Sequence, residues 1–406
     1  MGYSKQAFIG VSWVALLRIA TRFLSLARIS IISRIFSPKE FGLYGIAALV
    51  IAFLEILVET GVNVVLVQEK NSIQKYLNTA WVVSILRGML IATIIFILAP
   101  FISSFFNSKA SLSLIVLISV IPFIRGFINP AIIIYQKELK FKNEFYFRFF
   151  IFFIESIVII LTALLTRNIN SLILGLIAGA LFEVILSFIV IRQRPIFSFQ
   201  SKLVKEVLHK GKWVTAGGIF NYLFQNIDDI FVGKILGTAS LGFYQMAYKI
   251  SILPITEIAD VLSKVTFPLY AKIADDRSRL RRAFFKTFSV SIFFSLLFGF
   301  ILINFTRDIV VIVLGEKWIT IVPFLKILTG FGVIRGISGS ISTLFLAVKK
   351  QKYTSITILV SFLALIIMIV PFINSLGLIG VSYAVLISSI VSLPIMIYLA
   401  YKILYF

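Results

Sequence analysis

Apolar runs of twenty residues and more recur along the whole chain, broken only by short charged segments. Each is long enough to cross a hydrocarbon core of about 30 Å as a helix. The longest polar stretch, Arg192 to Lys212, leaves no room for a separate soluble domain. Composition agrees: 60% of the 406 residues are hydrophobic and 14% charged, with a mean hydropathy of +1.04. That is too little polar surface to cover a soluble core.

The charged breaks predict spans at 9–33, 42–66, 80–104, 112–134, 147–166, 171–191, 213–235, 241–268, 285–304, 319–347, 354–374 and 377–401. The expected fold class is an all-α membrane protein, with about 12 transmembrane helices in two six-helix bundles around a central cavity. The expected bundles are 1–191 and 213–406, joined by a cytoplasmic linker at 192–212. The segment Thr306 to Trp318 reads as an interfacial or re-entrant piece or a simple loop. The run behind the N-terminus carries Arg18, Arg22 and Arg28 and has no small-residue cleavage site, so it is expected to be a retained first span.

The two halves match at an ungapped offset of 200 residues. Trp13-Val14 falls on Trp213-Val214, Arg34-Ile35 on Lys234-Ile235, and Phe41-Gly-Leu-Tyr44 on Leu241-Gly-Phe-Tyr244, followed by Ala47 on Ala247. A constant register over two helices and their turn points to parallel repeats, an arrangement that suits alternating access.

The net charge of +22 is spread over short loops rather than gathered in one patch, which argues for topology signals and anionic headgroups and against nucleic acid. Cations concentrate in alternate loops: Lys70 and Lys75; Lys137 to Arg148; Arg192 to Lys212; Lys272 to Lys286; and Lys349 to Lys352. Both termini are therefore expected in the cytoplasm. Gln68 to Asn78, Lys202 to His209 and Asp275 to Phe285 look amphipathic, and read as interfacial helices or solvated loops.

Ionisable groups at helix centres cost about 2.5–3.5 kcal/mol on insertion scales, so they face a partner or a cavity. The first span has three arginines and no acid, and the second runs back with Glu55 and Glu59. Depth alone predicts that Arg22 meets Glu55 and that Arg18 meets Glu59. The second half carries Asp228, Asp229 and Lys249, and Arg28 aligns with Asp228 in the repeat. Arg87, Arg125, Glu155, Glu183, Lys326 and Arg335 are further buried charges, of which Glu155 and Glu183 read as structural. Arg18, Arg22, Arg28, Arg87 and Arg125 form the candidate cationic lining for an anionic substrate. Asp228, Asp229, Lys249, Glu55 and Glu59 are candidates for coupling or ion pairing.

Cysteine is absent and His209 is the only histidine, which removes Cys/His metal sites and thiol or imidazole catalysis. No P-loop or dinucleotide fingerprint occurs. No cofactor is expected; transport would draw on a gradient, with H+ or Na+ as the coupling ion.

An ordered set of residues then resembles a known family: Gly10-Val-Ser-Trp13, Ile32-Ser-Arg-Ile-Phe-Ser-Pro-Lys-Glu-Phe-Gly-Leu-Tyr44, Glu59-Thr-Gly61, Val67-Gln68, Asp228-Asp229, Gly233-Lys-Ile-Leu-Gly237, Leu241-Gly-Phe-Tyr244, Phe267-Pro268, Leu314-Gly-Glu-Lys-Trp318 and Pro323. The set is similar to bacterial polysaccharide-unit flippases of the multidrug/oligosaccharidyl-lipid/polysaccharide superfamily, of the colanic-acid and teichuronic-acid exporter type. The resemblance implies export of an undecaprenyl-pyrophosphate-linked oligosaccharide across the bacterial cytoplasmic membrane for surface polysaccharide assembly. It further implies a cationic cavity, membrane lipids as surroundings, and a polysaccharide polymerase and chain-length machinery as partners. The chain stops soon after the twelfth expected span, without the extra helix pair of the lipid II flippase branch, which speaks against peptidoglycan precursors. Two alternatives stand beside this reading: an ion-coupled multidrug antiporter of the same superfamily, and an intramembrane glycan ligase or polymerase.

Overall fold

The computed structural model describes residues 3–57, 74–198, 218 and 222–405, and these are helical almost throughout, with no strand among them. They fall into two compact units, Met1–Gln225 and Asn226–Phe406. The expected linker at 192–212 lies beyond residue 198 for most of its length, outside the described residues, as do Lys202 to His209, Glu59 and the repeat positions Trp213 and Val214.

The first unit contains α1 (Tyr3–Ile35), α2 (Pro38–Leu57), α3 (Gln74–Phe105), α4 (Ser111–Ile118), α5 (Val120–Gly126), a 3₁₀ turn (Pro130–Ile133), α6 (Ile134–Lys137), α7 (Phe141–Thr166) and α8 (Asn170–Val190). A helix at 222–231, here α9, begins at the end of the first unit and runs into a π-helical turn (Val232–Leu236) of the second. There follow α10 (Gly237–Lys272), α11 (Arg277–Asn304), α12 (Thr306–Val313), a 3₁₀ turn (Glu316–Ile321), α13 (Val322–Ala347) and α14 (Gln351–Tyr405), the last being two helices that meet at a kink at Gly377, φ 59.

Among the described residues six helices are long and apolar enough to cross a membrane, and a seventh span arises if α4–α5 and the Pro130–Lys137 segment count as one span bent by 73°. Their outward surfaces are apolar, with Phe23, Leu165, Ile189 and Ile367 largely exposed. Lipid is the solvent for such faces, so burial between helices falls to small residues. Ser33, Ser111, Ser156, Ser171, Ser187 and Ser382 are fully buried. The Ser187 and Ser382 hydroxyls return to carbonyls of their own helices, Val184 O at 2.7 Å and Leu378 O at 2.9 Å.

Local chemistry explains the turns. Ser37 and Glu40 form a reciprocal capping box ahead of α2: Glu40 Oε2 accepts from the Ser37 N–H at 2.8 Å, and Ser37 Oγ from the Glu40 N–H at 3.4 Å. Pro38 occupies the first helical position, where no N–H is needed. The matching turn of the second unit uses another device, Gly237 at φ 83. Beyond both turns the repeat packs alike, with Ala47 and Ala247 fully buried.

Three expectations are corrected. The span expected at 112–134 is broken, because buried Asn129 turns the chain: its Oδ1 accepts from Ala131 N–H at 3.0 Å and its Nδ2 donates to Gln193 O at 2.7 Å. The segment 275–285 is no separate interfacial helix. Asp276 caps α11 by accepting from the Arg279 N–H at 3.0 Å, so 277–285 form the first turns of that helix. The Arg279 N–H and the Ser278 hydroxyl also hold the Asp276 carboxyl below the usual carboxylate range. The segment 306–318, by contrast, agrees with the reading that it is no simple loop: it is α12 plus a 3₁₀ turn, with Val310, Leu314 and Trp318 fully buried. Finally, Glu55 meets Arg125 and not Arg22.

Pairing inside the first unit is tightest between α1 and α7. Arg28 Nη1 donates to Glu155 Oε1 at 2.6 Å, with side chains only 16% and 12% exposed. The guanidinium carbon lies 4.8 Å from the Phe152 ring centre. α8 closes over this pair because Gly179 faces Glu155: an added Cβ would stand 3.1 Å from Glu155 Cβ. Arg28 is thus committed to a buried pair, which corrects its place in the expected cavity lining.

Removing one partner strands the other charge, so Arg28→Met or Glu155→Leu is expected to destabilise the folded protein by about 3–5 kcal/mol. The double variant should recover most of that loss in denaturant unfolding in detergent; additive losses would mean the pair is not coupled. A second expectation concerns Gly88, where an added Cβ would lie 2.3 Å from the Pro122 carbonyl oxygen. Backbone cannot yield as a side chain does, so Gly88→Ala should cost about 1–3 kcal/mol in the same assay.

Candidate functional site

Two Arg-Gly pairs build the site. Arg87-Gly88 lies on α3 and Arg125-Gly126 ends α5. The helices cross with almost no gap at the glycines: a Cβ on Gly126 would lie 2.9 Å from Ser84 O. Each arginine is next in sequence to this contact, so the close approach also fixes both arginines at the crossing. α5 stops there because Asn129 and Pro130 redirect the chain, and the Trp81 indole N–H bonds the freed Phe127 carbonyl at 3.1 Å.

The arginines face a cavity of about 310 Å³ lined also by Glu55, Arg148, Glu183 and Pro122. Arg87 Nη2 donates to the Glu55 carbonyl at 2.9 Å. Arg125 is shared between two carboxylates, with Nη1 3.4 Å from Glu55 Oε1 and Nε 3.9 Å from Glu183 Oε2. Arg148 Nη1 stands 3.7 Å from Glu183 Oε1. Arg125 and Arg148 are 41% and 49% exposed, whereas Glu183 is 12% exposed. Arg125 and Arg148 therefore share two carboxylates in an open polar pocket, by contacts much longer than the 2.6 Å of Arg28–Glu155, while Arg87 is held by a backbone carbonyl. Long, solvent-accessible pairs contribute little stability and exchange partners easily.

The other expected cations are placed differently. On α1, Arg18 is half-buried and Arg22 exposed, and both interact with other groups. Arg148, read from sequence as a loop cation, lies two turns inside α7, which begins at Phe141, and so reaches the cavity. Glu183, read as structural, is the carboxylate between two of its arginines.

The acidic candidates form a second cluster in the other unit. The Tyr244 hydroxyl donates to Asp228 Oδ2 at 2.6 Å, both side chains being buried. Asp229 follows directly, and its buried Oδ1 has no hydrogen-bond partner among the described residues. Arg335 Nη1 donates to the Tyr248 hydroxyl at 2.8 Å, beside the Tyr244 ring. Lys249 is half-buried one residue further on. Immediately after the aspartates comes the π-helical turn, a rare deviation that often accompanies functional sites. Among the described residues no group of three or more His, Cys, Asp or Glu side chains is placed to hold a metal ion.

The chain is 29% identical over 357 residues to an uncharacterized membrane protein in the cps region of Klebsiella pneumoniae, covering 87% of this chain and 73% of that protein. It is 27% identical over 365 residues to the lipopolysaccharide biosynthesis protein WzxC of Escherichia coli (strain K12), covering 86% and 71%. Among solved structures, lipid II flippase MurJ in an inward closed conformation superposes with a TM-score of 0.77 at 21% identity, over 96% of this chain and 90% of that one. An inward-facing multidrug resistance MATE family transporter of the MOP superfamily gives 0.70 at 14% identity, over 94% of each chain. At those identities the structures establish the fold: an all-helical, multi-pass membrane transporter architecture. The polysaccharide biosynthesis protein family matches residues 31–323, more than half of the sequence, and the chain is a member of that family.

Proposed function

We propose that this protein is a flippase that moves an undecaprenyl-pyrophosphate-linked oligosaccharide unit across the bacterial cytoplasmic membrane by alternating access, for surface polysaccharide assembly, with both termini in the cytoplasm. The observation that carries the reading is the open cavity in which Arg87, Arg125 and Arg148 outnumber Glu55 and Glu183. A diphosphate is the anion that arginine forks match best, by paired N–H donors on planar guanidiniums. Glycan and diphosphate would enter the aqueous path while the polyprenyl tail stays in lipid. Arg18 and Arg22 on α1 are proposed as further contacts along that path. A polymerase and chain-length machinery are proposed as the partners that receive the exported unit.

The reading favours transport without catalysis, and a cationic cavity suits neither of its rivals. A multidrug antiporter needs a cavity dominated by acid to hold cationic drugs. A ligase or polymerase needs acid–base groups beside an acceptor site, and the carboxylates of this cavity are occupied by arginines. Deletion of the gene should leave lipid-linked oligosaccharide on the cytoplasmic leaflet, read by the accessibility of its sugars to an impermeant label. Accumulation on the outer leaflet would point to the polymerase or ligase instead.

We infer a proton as the coupling ion, with Asp229 as its carrier. The orphaned Oδ1 supports this, because a carboxyl there becomes a donor when protonated and an uncompensated charge when not. Asp228 is the less suited of the two, being engaged by Tyr244. Asp229→Asn should therefore abolish the dependence of transport on a proton gradient in proteoliposomes, while Asp228→Asn keeps it. Unchanged proton dependence in the Asp228→Asn/Asp229→Asn double variant would remove both from coupling.

A further inference from the structure

Glu183 is an odd constituent of a cavity built to attract anions. Its carboxylate is nearly enclosed, yet its contacts to arginine are 3.7 and 3.9 Å, one to each of two helices, and no shorter hydrogen bond reaches it among the described residues. A carboxylate that served only to hold helices together would close on one guanidinium, as Glu155 does on Arg28 at 2.6 Å. Glu183 instead sits between Arg125 and Arg148, with one oxygen toward each, in the bridging arrangement of a phosphate oxygen pair. The two arginines come from different helices, α5 and α7, and their exposure leaves both reachable from the cavity.

Volume narrows what can take that place. A cavity of about 310 Å³ is at the lower limit of small-molecule pockets and is large enough to admit an anionic headgroup. We propose that Glu183 is a built-in stand-in for the diphosphate of the cargo: it holds Arg125 and Arg148 in position when the cavity is empty of ligand, and the diphosphate binds by exchanging with it. This deepens the flippase reading and rests on it for the identity of the cargo. Exchange keeps an anion between the two arginines at every stage, so they do not face the membrane interior bare when the diphosphate leaves. It also caps affinity, because every binding event must first displace an internal carboxylate. Tight binding is of no use to a carrier that has to release its cargo, and an internal competitor is a direct means of limiting it.

The test is the binding of inorganic pyrophosphate and of farnesyl diphosphate to the full-length protein in nanodiscs. Glu183→Gln removes the competing charge and keeps the shape, and should bind both probes about tenfold more tightly than the wild type while exporting more slowly. Arg148→Gln should weaken both by a similar factor. Tighter binding of farnesyl diphosphate alone would assign the site to lipid-linked diphosphate; tighter binding of both assigns it to the diphosphate group as such. Equal or weaker binding by a folded Glu183→Gln protein, judged by an unchanged melting temperature, overturns the proposal. If that variant does not fold, Glu183→Asp, which draws the carboxylate back by one methylene, should tighten binding in the same direction, and failure to do so counts equally against it. Failure of the flippase reading looks different: the deletion strain would show a normal leaflet distribution while Glu183→Gln still bound diphosphate more tightly.

Discussion

An arginine within a bilayer must have either a counter-charge or water, and the first unit uses both solutions a few helices apart. Arg28 takes the first, closed on Glu155 at 2.6 Å beneath a glycine of α8. Breaking such a pair leaves a stranded charge, so it behaves as a fixed strut. Arg125 and Arg148 take the second, half-exposed and held at 3.4 to 3.9 Å from carboxylates they share. The difference follows from backbone geometry. Where Gly175 and Gly179 let α8 lie flat on α7, there is no room for water; where α5 stops at Gly126 and the chain turns away, a cavity opens at the end of the helix.

The repeat supplies the same scaffold twice with opposite charge. Arg28 and Asp228 occupy equivalent positions, as do Tyr44 and Tyr244. In the second unit the tyrosine hydroxyl satisfies the aspartate directly at 2.6 Å, so that acid needs no cation against it. In the first, the cation looks away to α7 and Glu155. One ancestral packing thus tolerates either sign, provided that a hydrogen-bonding or charged partner comes from a neighbouring helix. Even the turns between equivalent helices were solved twice, once by the Ser37–Glu40 capping box and once by Gly237 in a left-handed conformation.

The apolar runs locate most helices to within a few residues, because their cause is local. The Ser37-Pro38-Glu40 start of α2 and the Asn129-Pro130 break are equally local, yet the expected spans at 42–66 and 112–134, drawn from apolar runs alone, miss both. The inventory of buried charge was also legible, since any Arg or Glu in such a run stands out. What could not be read was the pairing. Depth brings Arg22 level with Glu55, but which helix faces which is decided by small-residue contacts between segments far apart in sequence; Arg28 and Glu155 are 127 residues apart. Arg148 was misread for a simpler reason. It closes a run of cations from Lys137 that mimics a loop, whereas the helix has already begun at Phe141. The Arg-Gly dipeptides at 87, 125 and 335 were the available signal: at all three the glycine is where another helix comes closest.

That coincidence has a physical basis and bears on function. A glycine contact is the stiffest joint a pair of membrane helices can make, because backbone meets backbone with no side chain to adjust. An arginine beside it inherits that stiffness at its Cα while its long side chain stays free to reorient. Such a residue is well suited to receive a charged group and let it go, since rearrangement costs rotamers rather than helix packing. Arg87 and Arg125 have this design in the anion-attracting unit. Arg335, whose neighbour Gly336 meets the side chains of Ser295 and Ile255 rather than backbone, donates from its guanidinium to the neutral hydroxyl of Tyr248. Asp228 has the neutral hydroxyl of Tyr244 as its hydrogen-bond partner. The arginine-lined cavity and the buried aspartates thus lie in separate units of one chain.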